Sequence, residues 1–431
     1  MTSRIGVVAD DLTGANDTAV QFARVGLPTL VALTRPLTQG AAESTDVVAV
    51  TTDSRASTPD IARQRTAEAV REMAAVGTVQ LYLKLDSTMR GSAAAQVSGA
   101  VEAWSEQHPD AFVLLCPAYP AMGRIVVGGE VRIHDEPLEK GAPGRDLVTP
   151  VTTSVLSELV PGAVHVESSG LTVDELVCGI SSAAKHAWVV TVDAVTNDDL
   201  GLLAEAVAML GAAAVPAGSA GLASTLALRW RDDQHVLKST TEATRPPRPR
   251  PILVLVTSLN TTARNQQKRL IQEFGEQVEV FEPSLQDLLD DERFERWGHE
   301  RSQLSLADHD VVLVSAPEEK SSGASGAADL IAQHLADLVA DLHTRHDFSA
   351  VVVTGGDGAR ALVTRWGCTG IAVHSALSEG MPQGVLVGGE VDGLPIVTKA
   401  GGFGDRHALV LAVRSCQRDD RAGALGDKLQ H

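Results

Sequence analysis

Short runs of consecutive apolar residues alternate with longer amphipathic stretches along the whole chain. In the first half, these runs occupy residues 5–9, 29–33, 47–51, 79–85, 112–116 and 188–192. In the second half, they occupy residues 252–256, 311–315, 350–354 and 393–399. Strands that alternate with helices predict parallel sheets joined by crossover helices. We therefore expect an α/β fold with two domains, each a mostly parallel sheet flanked by helices.

A proline-rich segment interrupts this pattern near the middle of the chain. Residues 244–251 are TRPPRPRP, with four prolines and three arginines. Prolines at this density cannot continue a helix or a central strand, so the segment is typical of a stiff linker. We predict a first domain over residues 1–243, a linker over 244–251 and a second domain over 252–431. The alternative is a long surface loop inside one domain.

The chain is strongly acidic, with 55 Asp and Glu residues against 36 Lys and Arg residues and a formal net charge of −19. This charge repels nucleic acids and anionic membranes, so we expect neither as a partner. An anionic ligand would need locally placed Arg, Lys or backbone N–H groups. Aromatic residues make up only 3% of the chain, so the cores must be built from Ala, Val and Leu.

The cysteines and the N-terminus indicate the compartment. The four cysteines, at positions 116, 178, 368 and 416, show no C-x-x-C spacing, which argues against a zinc site and a disulfide framework. The first residues lack the apolar stretch of a signal peptide, and no run of 18 apolar residues occurs. We therefore expect a cytoplasmic protein.

Adjacent carboxylates follow the first predicted strand. Asp10 and Asp11 come directly after residues 5–9, at the edge where parallel sheets bind ligands. They could bind substrate hydroxyls or accept a proton, or they could only complement the N-terminus of the next helix. We predict that Thr13 caps this helix and that Ala15, Ala19 and Phe22 form its apolar stripe.

The later strands of the first half also end in polar residues. Arg55 follows the third strand, and the loop that ends at Arg124 follows the fifth. Lys84 and Asp86 lie on one face of the fourth strand, and Arg90 follows them. Lys84 and Asp86 could form a plain structural ion pair. Alternatively, these cations and carboxylates form a pocket for a polyhydroxy acid, because an arginine fork binds a carboxylate bidentately.

The second half contains glycine-rich or hydroxyl-rich loops where three of its predicted strands end. Neither the P-loop motif nor the G-x-G-x-x-G motif occurs in the chain. The three loops are residues 257–262, 355–360 and 399–405. Glycines ahead of a helix let backbone N–H groups converge on phosphate, although such loops are also common structural turns. We interpret the three loops together as a phosphate site.

Several motifs in a fixed order extend this interpretation to a family. The chain contains VADDLTGANDTA, LKLDSTMRG and CPAYPAMGR, followed late in the sequence by TGGDGA and TKAGGFGD. Together they resemble the four-carbon acid sugar kinases, formerly a domain of unknown function. The likeness runs from about residue 5 to 410. The motif DDLTGANDT resembles that of the threonate and erythronate kinase branch, and 3-oxo-tetronate kinase is the alternative.

The resemblance implies an N-terminal domain that binds the sugar acid, a C-terminal domain that binds ATP and phosphoryl transfer to a terminal hydroxyl in the cleft between them. Its sugar-acid residues would be Asp10, Asp11, Arg55, Lys84, Asp86 and Arg90. Its nucleotide residues would be Ser258, Gly355, Gly356, Asp357, Gly358, Gly401 and Gly402. The chain has Thr257 and Asp357 where relatives often have Gly and Glu, which weakens any role assigned to Asp357.

Phosphoryl transfer depends mainly on positioning and charge neutralisation, so Mg²⁺ is expected on the ATP phosphates. Lys399 could neutralise charge on the transferred group, and either Asp86 or Asp11 could act as the base. A homo-oligomer is compatible with the sequence. Two rival classes are a dinucleotide-dependent oxidoreductase, which should carry G-x-G-x-x-G, and a non-catalytic sugar-acid binding protein, which has no use for phosphate loops.

Overall fold

The computed structural model describes residues 4–37, 45–146, 148–232, 251–301, 304–306, 308–318 and 327–426. The chain divides into two compact units, Met1–Lys238 and Ser239–His431, and each is described by itself. The predicted linker lies outside the described residues except for Pro251. The predicted domain bounds and the expected cleft position of the active site stay predictions.

The first unit contains eleven strands and seven helices in its described part. Its strands are β1 Arg4–Ala9, β2 Thr29–Ala32, β3 Val47–Thr51, β4 Thr78–Lys84, β5 Phe112–Cys116, β6 Arg124–Val127, β7 Glu130–Ile133, β8 Glu136–Pro137, β9 Val164–Val166, β10 Val189–Val192 and β11 Ala214–Gly218. Its helices are α1 Leu12–Arg24, α2 Pro59–Ala75, α3 Ala93–Trp104, α4 Leu156–Leu159, α5 Val173–Ala184, α6 Asn197–Leu210 and α7 Ala220–Asp232.

The main sheet of this unit is parallel throughout. Its strand order is β2-β3-β1-β4-β11-β5-β10-β9, and β6, β7 and β8 form a separate antiparallel sheet. Strand β1 lies between β3 and β4, with Val7 paired to Ala49 on one side and to Tyr82 on the other. The chain first builds the sheet on the β3 side and then crosses to the β4 side. The carboxyl end of β1 is therefore a switch point, where open α/β sheets bind ligands.

Helix α1 follows this switch point directly. Ala15, Ala19 and Phe22 are fully buried, which confirms the predicted apolar stripe. The predicted cap at Thr13 is wrong, because the N-cap is Asp11, whose Oδ1 accepts a hydrogen bond from the Gly14 N–H at 2.7 Å. A carboxylate satisfies the exposed helix N–H groups and also complements the helix dipole, so it is favoured over threonine at this position.

The second unit contains seven strands and six helices in its described part. Its strands are β12 Ile252–Val256, β13 Val278–Phe281, β14 Val311–Ser315, β15 Ala350–Thr354, β16 Gly370–Ala376, β17 Pro382–Val387 and β18 Pro395–Lys399. Its helices are α8 Thr261–Phe274, α9 Leu285–Leu288, α10 Asp291–Arg301, α11 Ala327–Arg345, α12 Gly356–Arg365 and α13 Ala408–Gly426.

This unit repeats the arrangement of the first around β12. Its strand order is β13-β14-β12-β15-β18-β17-β16, parallel except that β17 runs antiparallel to β16 and β18. Strand β12 lies between β14 and β15, which makes its carboxyl end a second switch point. All five residues of β12 are fully buried, as continuous apolar strands of parallel sheets should be.

The strand predictions agree with both units. Each of the ten predicted strands is present, with bounds within two residues of those expected. The parallel α/β fold in two units is thereby confirmed. No described helix has the length and apolar character needed to cross a membrane.

Candidate active site

Arg55, in the loop after β3, binds both carboxylates at the end of β1. Its Nε donates to Asp10 Oδ2 at 2.6 Å and its Nη2 to Asp10 Oδ1 at 2.9 Å. Its Nη1 donates to Asp11 Oδ2 at 2.6 Å and its Nη2 to Asp11 Oδ1 at 3.0 Å. One guanidinium group therefore fixes the orientation of both carboxylates through charge-assisted hydrogen bonds.

Asp86, just after β4, extends this charged cluster. Its Oδ1 accepts hydrogen bonds from the backbone N–H and the hydroxyl of Thr88, at 2.8 and 2.9 Å. Its Oδ2 accepts from Arg90 Nε at 2.7 Å and lies 3.9 Å from Arg55 Nη1. Arg90 Nη1 also donates to Asp146 Oδ2 at 3.1 Å. The loops after β1, β3 and β4 thus bring five of the six residues predicted for the sugar acid into one cluster. The sixth, Lys84, ends β4 and is close enough for its charge to lower the pKa values of Asp11 and Asp86.

The ionisation of the two candidate bases differs. Burial raises the pKa of Asp11 and outweighs the opposing effect of Arg55. Burial also acts to raise the pKa of Asp86, but Arg55 and Arg90 outweigh it and hold that pKa well below its usual range. The side chain of Asp11 is 27% exposed, whereas that of Asp86 is only 5% exposed. Asp11 is therefore the more accessible and the more basic of the two.

Lys84 and Arg124 are two further cations beside this cluster. Lys84 is buried, and its Nζ donates to the Leu85 carbonyl at 2.8 Å. The alternative of a plain ion pair between Lys84 and Asp86 is wrong, because the described structure has no such pair. Among the residues that the structure describes, no carboxylate forms an ion pair with Lys84 or Arg124.

Sequence reasoning did not place Arg124 in the site. Arg124 begins β6 and is close enough to Asp86 and Arg90 for both charges to influence its pKa, which burial lowers. Its Nε is buried and has no hydrogen-bond partner within the described ranges. The Nε atoms of Arg4, Arg132 and Arg264 are also buried without a partner in the described ranges, so this feature by itself does not mark an anion site. The motif CPAYPAMGR ends at this residue and was the signal that could have identified it.

The loops predicted for the nucleotide also meet, at the carboxyl ends of β12, β15 and β18. A β-carbon on Gly401 would lie 2.1 Å from Ser258 Oγ, so these two loops are in direct contact. A β-carbon on Gly355 or Gly358 would lie 2.5 or 2.4 Å from Thr257 Oγ1. These glycines are therefore required by packing against Thr257 and Ser258, whatever else they do.

Gly402 differs from these glycines. A β-carbon there would meet only Asn260 Nδ2, at an ordinary distance of 3.5 Å. Gly402 is exposed, as are Gly356 and Asp357 in the first turn of α12. Packing within the described part of the chain therefore gives no reason for glycine at position 402, and an approaching ligand remains the explanation to test.

Lys399 and Gln266 hold the carbonyl groups of the loop after β18. Lys399 Nζ donates to the carbonyls of Ala400, Gly401 and Phe403 at 2.7, 3.4 and 3.0 Å. Gln266 Nε2, from α8, donates to the carbonyls of Phe403, Gly404 and Asp405 at 3.0, 3.2 and 2.7 Å. Lys399 thus shapes this loop, and its expected contact with the transferred phosphoryl group stays a prediction.

The N–H groups of the same loop point the other way. In a trans peptide, the N–H of one residue points opposite to the C=O of the residue before it. Because these carbonyls bind Lys399 and Gln266, the N–H groups of the following residues point away from both side chains. These residues are Gly401, Gly402, Gly404, Asp405 and Arg406. These N–H groups therefore lie on the outer side of the loop, and their binding of an anion stays a prediction.

Neither charged site contains an obvious metal cage. Across the described ranges, no group of three or more His, Cys, Asp or Glu side chains is arranged to hold a metal ion.

Burial lowers the pKa of Lys399 to about 8. The buried ammonium group of Lys399 therefore carries a desolvation free-energy cost, which its hydrogen bonds to three carbonyls partly offset.

Comparisons with known proteins match both units. A family model described as a sugar-binding N-terminal domain matches residues 5–226, and one described as a nucleotide-binding C-terminal domain matches residues 253–409. The chain is 38% identical over 419 residues to a D-threonate kinase of Bordetella bronchiseptica, covering 95% of this chain and 97% of the relative.

A D-erythronate kinase of Heliobacterium modesticaldum is 27% identical over 448 residues, covering 95% of this chain and 96% of the relative. A crystal structure of a Haemophilus influenzae protein, from a family named only as a domain of unknown function, aligns with a TM-score of 0.72. That alignment has 21% identity, covers 94% of this chain and 98% of the other, and supports the fold alone.

These matches decide between the classes that the sequence left open. A dinucleotide-dependent oxidoreductase and a non-catalytic binding protein are both wrong, because the kinase relatives are matched over nearly their whole length. The chain belongs to the four-carbon acid sugar kinase family and is a phosphotransferase with a sugar-binding N-terminal and a nucleotide-binding C-terminal domain.

Proposed function

We propose that this kinase transfers the γ-phosphoryl group of ATP to the C4 hydroxyl of D-threonate or a closely similar four-carbon sugar acid. The observation that carries the proposal is the 38% identity with a D-threonate kinase over 95% of the chain. The charged cluster at the ends of β1, β3 and β4 supports it, because it contains the groups that a small hydroxy acid requires.

In this proposal, Lys84 and Arg124 bind the carboxylate of the sugar acid. Both are cations that form no ion pair with a carboxylate among the described residues. Arg90 completes the anion site from the side of Asp86 and Asp146. Asp10 and Asp86 present carboxylate oxygens that can accept hydrogen bonds from substrate hydroxyls, while Arg55 holds Asp10 in place.

We assign the base to Asp11. Its carboxylate takes the proton of the acceptor hydroxyl, whose oxygen forms a bond to the γ-phosphorus while the bond to the bridging oxygen of ADP breaks. The pKa of Asp11 is raised by burial, which favours proton uptake, whereas the pKa of Asp86 is held low by Arg55 and Arg90. Asp86 then acts as a positioning group for Arg90 and for the substrate.

The nucleotide phosphates bind the second unit at the loop after β18. The N–H groups of Gly401 and Gly402 face the anion, and Ser258 and the turn from Gly355 to Gly358 lie beside them. Mg²⁺ enters with ATP as part of the substrate, since this ion is usually held by phosphates and few protein oxygens. Lys399 and Gln266 keep the loop open to phosphate by binding its carbonyls.

A substrate panel tests the proposal. The purified protein is incubated with Mg-ATP and D-threonate, D-erythronate, L-threonate or 3-oxo-tetronate, and product is identified by phosphorus–proton coupling at C4. We expect the highest kcat/KM with D-threonate. Preference for 3-oxo-tetronate would overturn the substrate assignment, and phosphate on C2 or C3 would overturn the assigned position.

A further inference from the structure

Arg124 lies outside the main sheet of the first unit, on a hairpin formed by β6 and β7. This hairpin, residues 124–133, follows the loop after β5 and forms a separate antiparallel sheet with β8. An inner strand of the main sheet is fixed by hydrogen bonds to a neighbour on each side, whereas the hairpin takes its direction from a few contacts with the loops around it. The position of Arg124 therefore depends on what anchors the hairpin.

Asp193, directly after β10, binds the turn of the hairpin. Its Oδ2 accepts a hydrogen bond from the Gly128 N–H and its Oδ1 accepts one from the Gly129 N–H, both at 3.0 Å. These two glycines alone join β6 to β7, with φ angles of 60° and 74°. A two-residue turn of this kind requires positive φ at both positions, which glycine adopts without strain. One carboxylate thus binds two consecutive N–H groups through charge-assisted hydrogen bonds.

The residue after Asp193 binds the middle of β6. Ala194 and Val126 exchange two backbone hydrogen bonds, at 2.9 and 3.0 Å, and both residues are buried. At the start of β6, Arg124 and Tyr119 exchange backbone hydrogen bonds at 2.7 and 3.1 Å. Tyr119 belongs to the loop that leads into β6, so this last contact closes that loop on itself. The contacts of Asp193 and Ala194 join the hairpin to the loop after β10.

Asp193 is itself held by its neighbours. His165 Nε2 lies 3.4 Å from Asp193 Oδ1, and His165 Nδ1 lies 3.0 Å from Thr191 Oγ1. A β-carbon on Gly129 would lie 3.3 Å from the His165 ring, so the ring also packs against the turn. Ser168 Oγ donates to the backbone carbonyl of Asp193 at 2.9 Å. These contacts leave the carboxylate little freedom, as a group that positions others requires.

Strand β6 transmits the position of the turn to Arg124. Gly128 and Arg124 lie four residues apart, and Val126 is midway between them. At about 3.3 Å per residue, the ends of this segment are about 13 Å apart. With the pair of Val126 and Ala194 as a pivot, a shift of the turn by about 1 Å moves Arg124 by about the same distance in the opposite direction. Binding groups must keep their positions to about 0.5 Å, and a misplacement of about 1 Å can cost about 100-fold in rate.

We propose that Asp193 is a positioning residue for the sugar acid, because it fixes the hairpin and thereby the guanidinium group of Arg124. The inference rests on the proposed function, in which Arg124 binds the carboxylate of the acid. It adds a residue after β10 to a site otherwise built at the ends of β1, β3 and β4. It also accounts for the paired glycines of the turn, whose two N–H groups are both open to one carboxylate.

Steady-state kinetics of Asp193→Ala test this role. We expect the KM for the sugar acid to rise about tenfold through misplacement of Arg124, with the KM for ATP unchanged. Glu175→Ala is the matched control, because Glu175 Oε2 also accepts two hydrogen bonds in this unit, from the backbone N–H and the hydroxyl of Thr172. It should lower the melting temperature slightly and change neither KM. An unchanged KM for the acid in Asp193→Ala would overturn the proposal.

A double variant separates positioning from a general loss of structure. Arg124→Ala already removes the group that Asp193 positions, so adding Asp193→Ala to it should leave the KM for the acid at the value of Arg124→Ala alone. Effects that multiply would show that the two residues act independently, and the proposal would be wrong.

Asp193→Asn is the second variant if Asp193→Ala does not fold, because it keeps the shape of the side chain and one of its two acceptors. We expect the KM for the acid to rise about threefold, the effect of losing one hydrogen bond. An unchanged KM in the folded Asp193→Asn variant would count against the proposal in the same way.

Failure of the proposed function gives a different result. A wild type that phosphorylates no sugar acid would refute that function, together with the acid site on which this inference rests. An active wild type with an unaffected Asp193→Ala variant would refute the role of Asp193 alone.

Discussion

The two units place their candidate sites at equivalent positions but build them from different groups. In the first unit, the site at the end of β1 consists of charged side chains, with Arg55 bound to Asp10 and Asp11. In the second unit, the candidate site around β12 consists of glycine-rich loops, and Lys399 and Gln266 bind the carbonyl groups of one of them. A small acid with several hydroxyls requires distinct side chains at distinct points, whereas phosphate is bound well by a row of N–H groups.

The comparison predicts that the first site depends on paired charges for stability. Arg55→Ala removes the partner of two carboxylates, of which Asp10 is only 1% exposed. Breaking a buried ion pair on one side costs about 3–5 kcal/mol, and we expect urea unfolding of this variant to show a loss of that size.

Arg71→Ala is the control for Arg55→Ala. Arg71 pairs with Glu102 and Glu106 on the surface, where such pairs contribute about 0–1 kcal/mol. A loss of stability in Arg55→Ala no larger than in Arg71→Ala would show that the cluster is solvated, and the side-chain site would lose its structural basis.

The second prediction separates binding of the acid from binding of ATP. Arg124→Ala removes a cation that has no carboxylate partner among the described residues, so the change leaves no buried carboxylate unpaired. Loss of a charge-assisted hydrogen bond costs about 1.5–3 kcal/mol, which should raise the KM for the sugar acid about tenfold or more. The KM for ATP should stay near its wild-type value.

Arg132→Ala provides the matched control, because Arg132 lies on the neighbouring strand β7 and pairs with Glu130 at 2.8 Å. We expect it to keep wild-type kinetics. The opposite result for Arg124→Ala would be a raised KM for ATP with an unchanged KM for the sugar acid. Arg124 would then have to be assigned to the nucleotide and not to the acid.

The third prediction tests whether backbone groups bind the phosphates. Gly402→Ala introduces a β-carbon that meets only Asn260 Nδ2 at 3.5 Å, so the melting temperature should not change. An approaching phosphate would meet the added methyl group, and we expect the KM for ATP to rise about tenfold, equivalent to about 1.4 kcal/mol.

Two other glycines frame that experiment. Gly401→Ala should lower the melting temperature, because its β-carbon would clash with Ser258 Oγ at 2.1 Å. Gly298→Ala, in the open on α10, should raise stability slightly, because alanine is favoured over glycine inside a helix, and should leave the kinetics unchanged. Normal ATP kinetics in a stable Gly402→Ala variant would mean that the loop after β18 is only a structural turn.

The smallest predicted effect is a pH dependence due to Lys399. Burial lowers its pKa to about 8 in the folded protein, below its value of about 10.4 in an unfolded chain. Between these values the unfolded chain binds more protons, so stability should rise with pH. From pH 8 to pH 9 the gain should be about 1 kcal/mol relative to Lys399→Met.

Both proteins contain the same other titrating groups, so the contributions of those groups cancel in the difference between the two unfolding free energies. Urea unfolding of wild type and Lys399→Met at four pH values between 7 and 10 measures it. A constant difference across that range would indicate that the ammonium is better solvated than its three carbonyl contacts suggest.

Parts of the molecule were predictable because local pattern and tertiary structure agree. The strand of residues 252–256 is apolar at every position, and the structure has β12 with the same bounds. Strand β11 was missed, because its sequence AVPAG contains a proline, which usually excludes a central strand. Yet β11 pairs with both β4 and β5, since its burial between them outweighs the lost hydrogen bond.

The candidate sites were likewise predictable only in part. The types of residue at the strand ends, such as Asp10, Lys84 and Gly402, were visible in the sequence because a switch point concentrates polar and glycine residues there. Arg124 was passed over because the loop before β6 contains two prolines and a glycine and gave no sign of where its last residue points.

The sequence by itself determined the two α/β units, the position of the polar strand ends and the family, because each depends on residue order along the chain. Only the tertiary structure decided which groups pair. It joined Arg55 to Asp10 and Asp11, placed Lys399 under its own loop and separated the packing role of Gly401 from the open position of Gly402. The physical reason is that hydrogen bonds and charge interactions act over a few ångströms, and folding alone brings residues far apart in the chain to that distance.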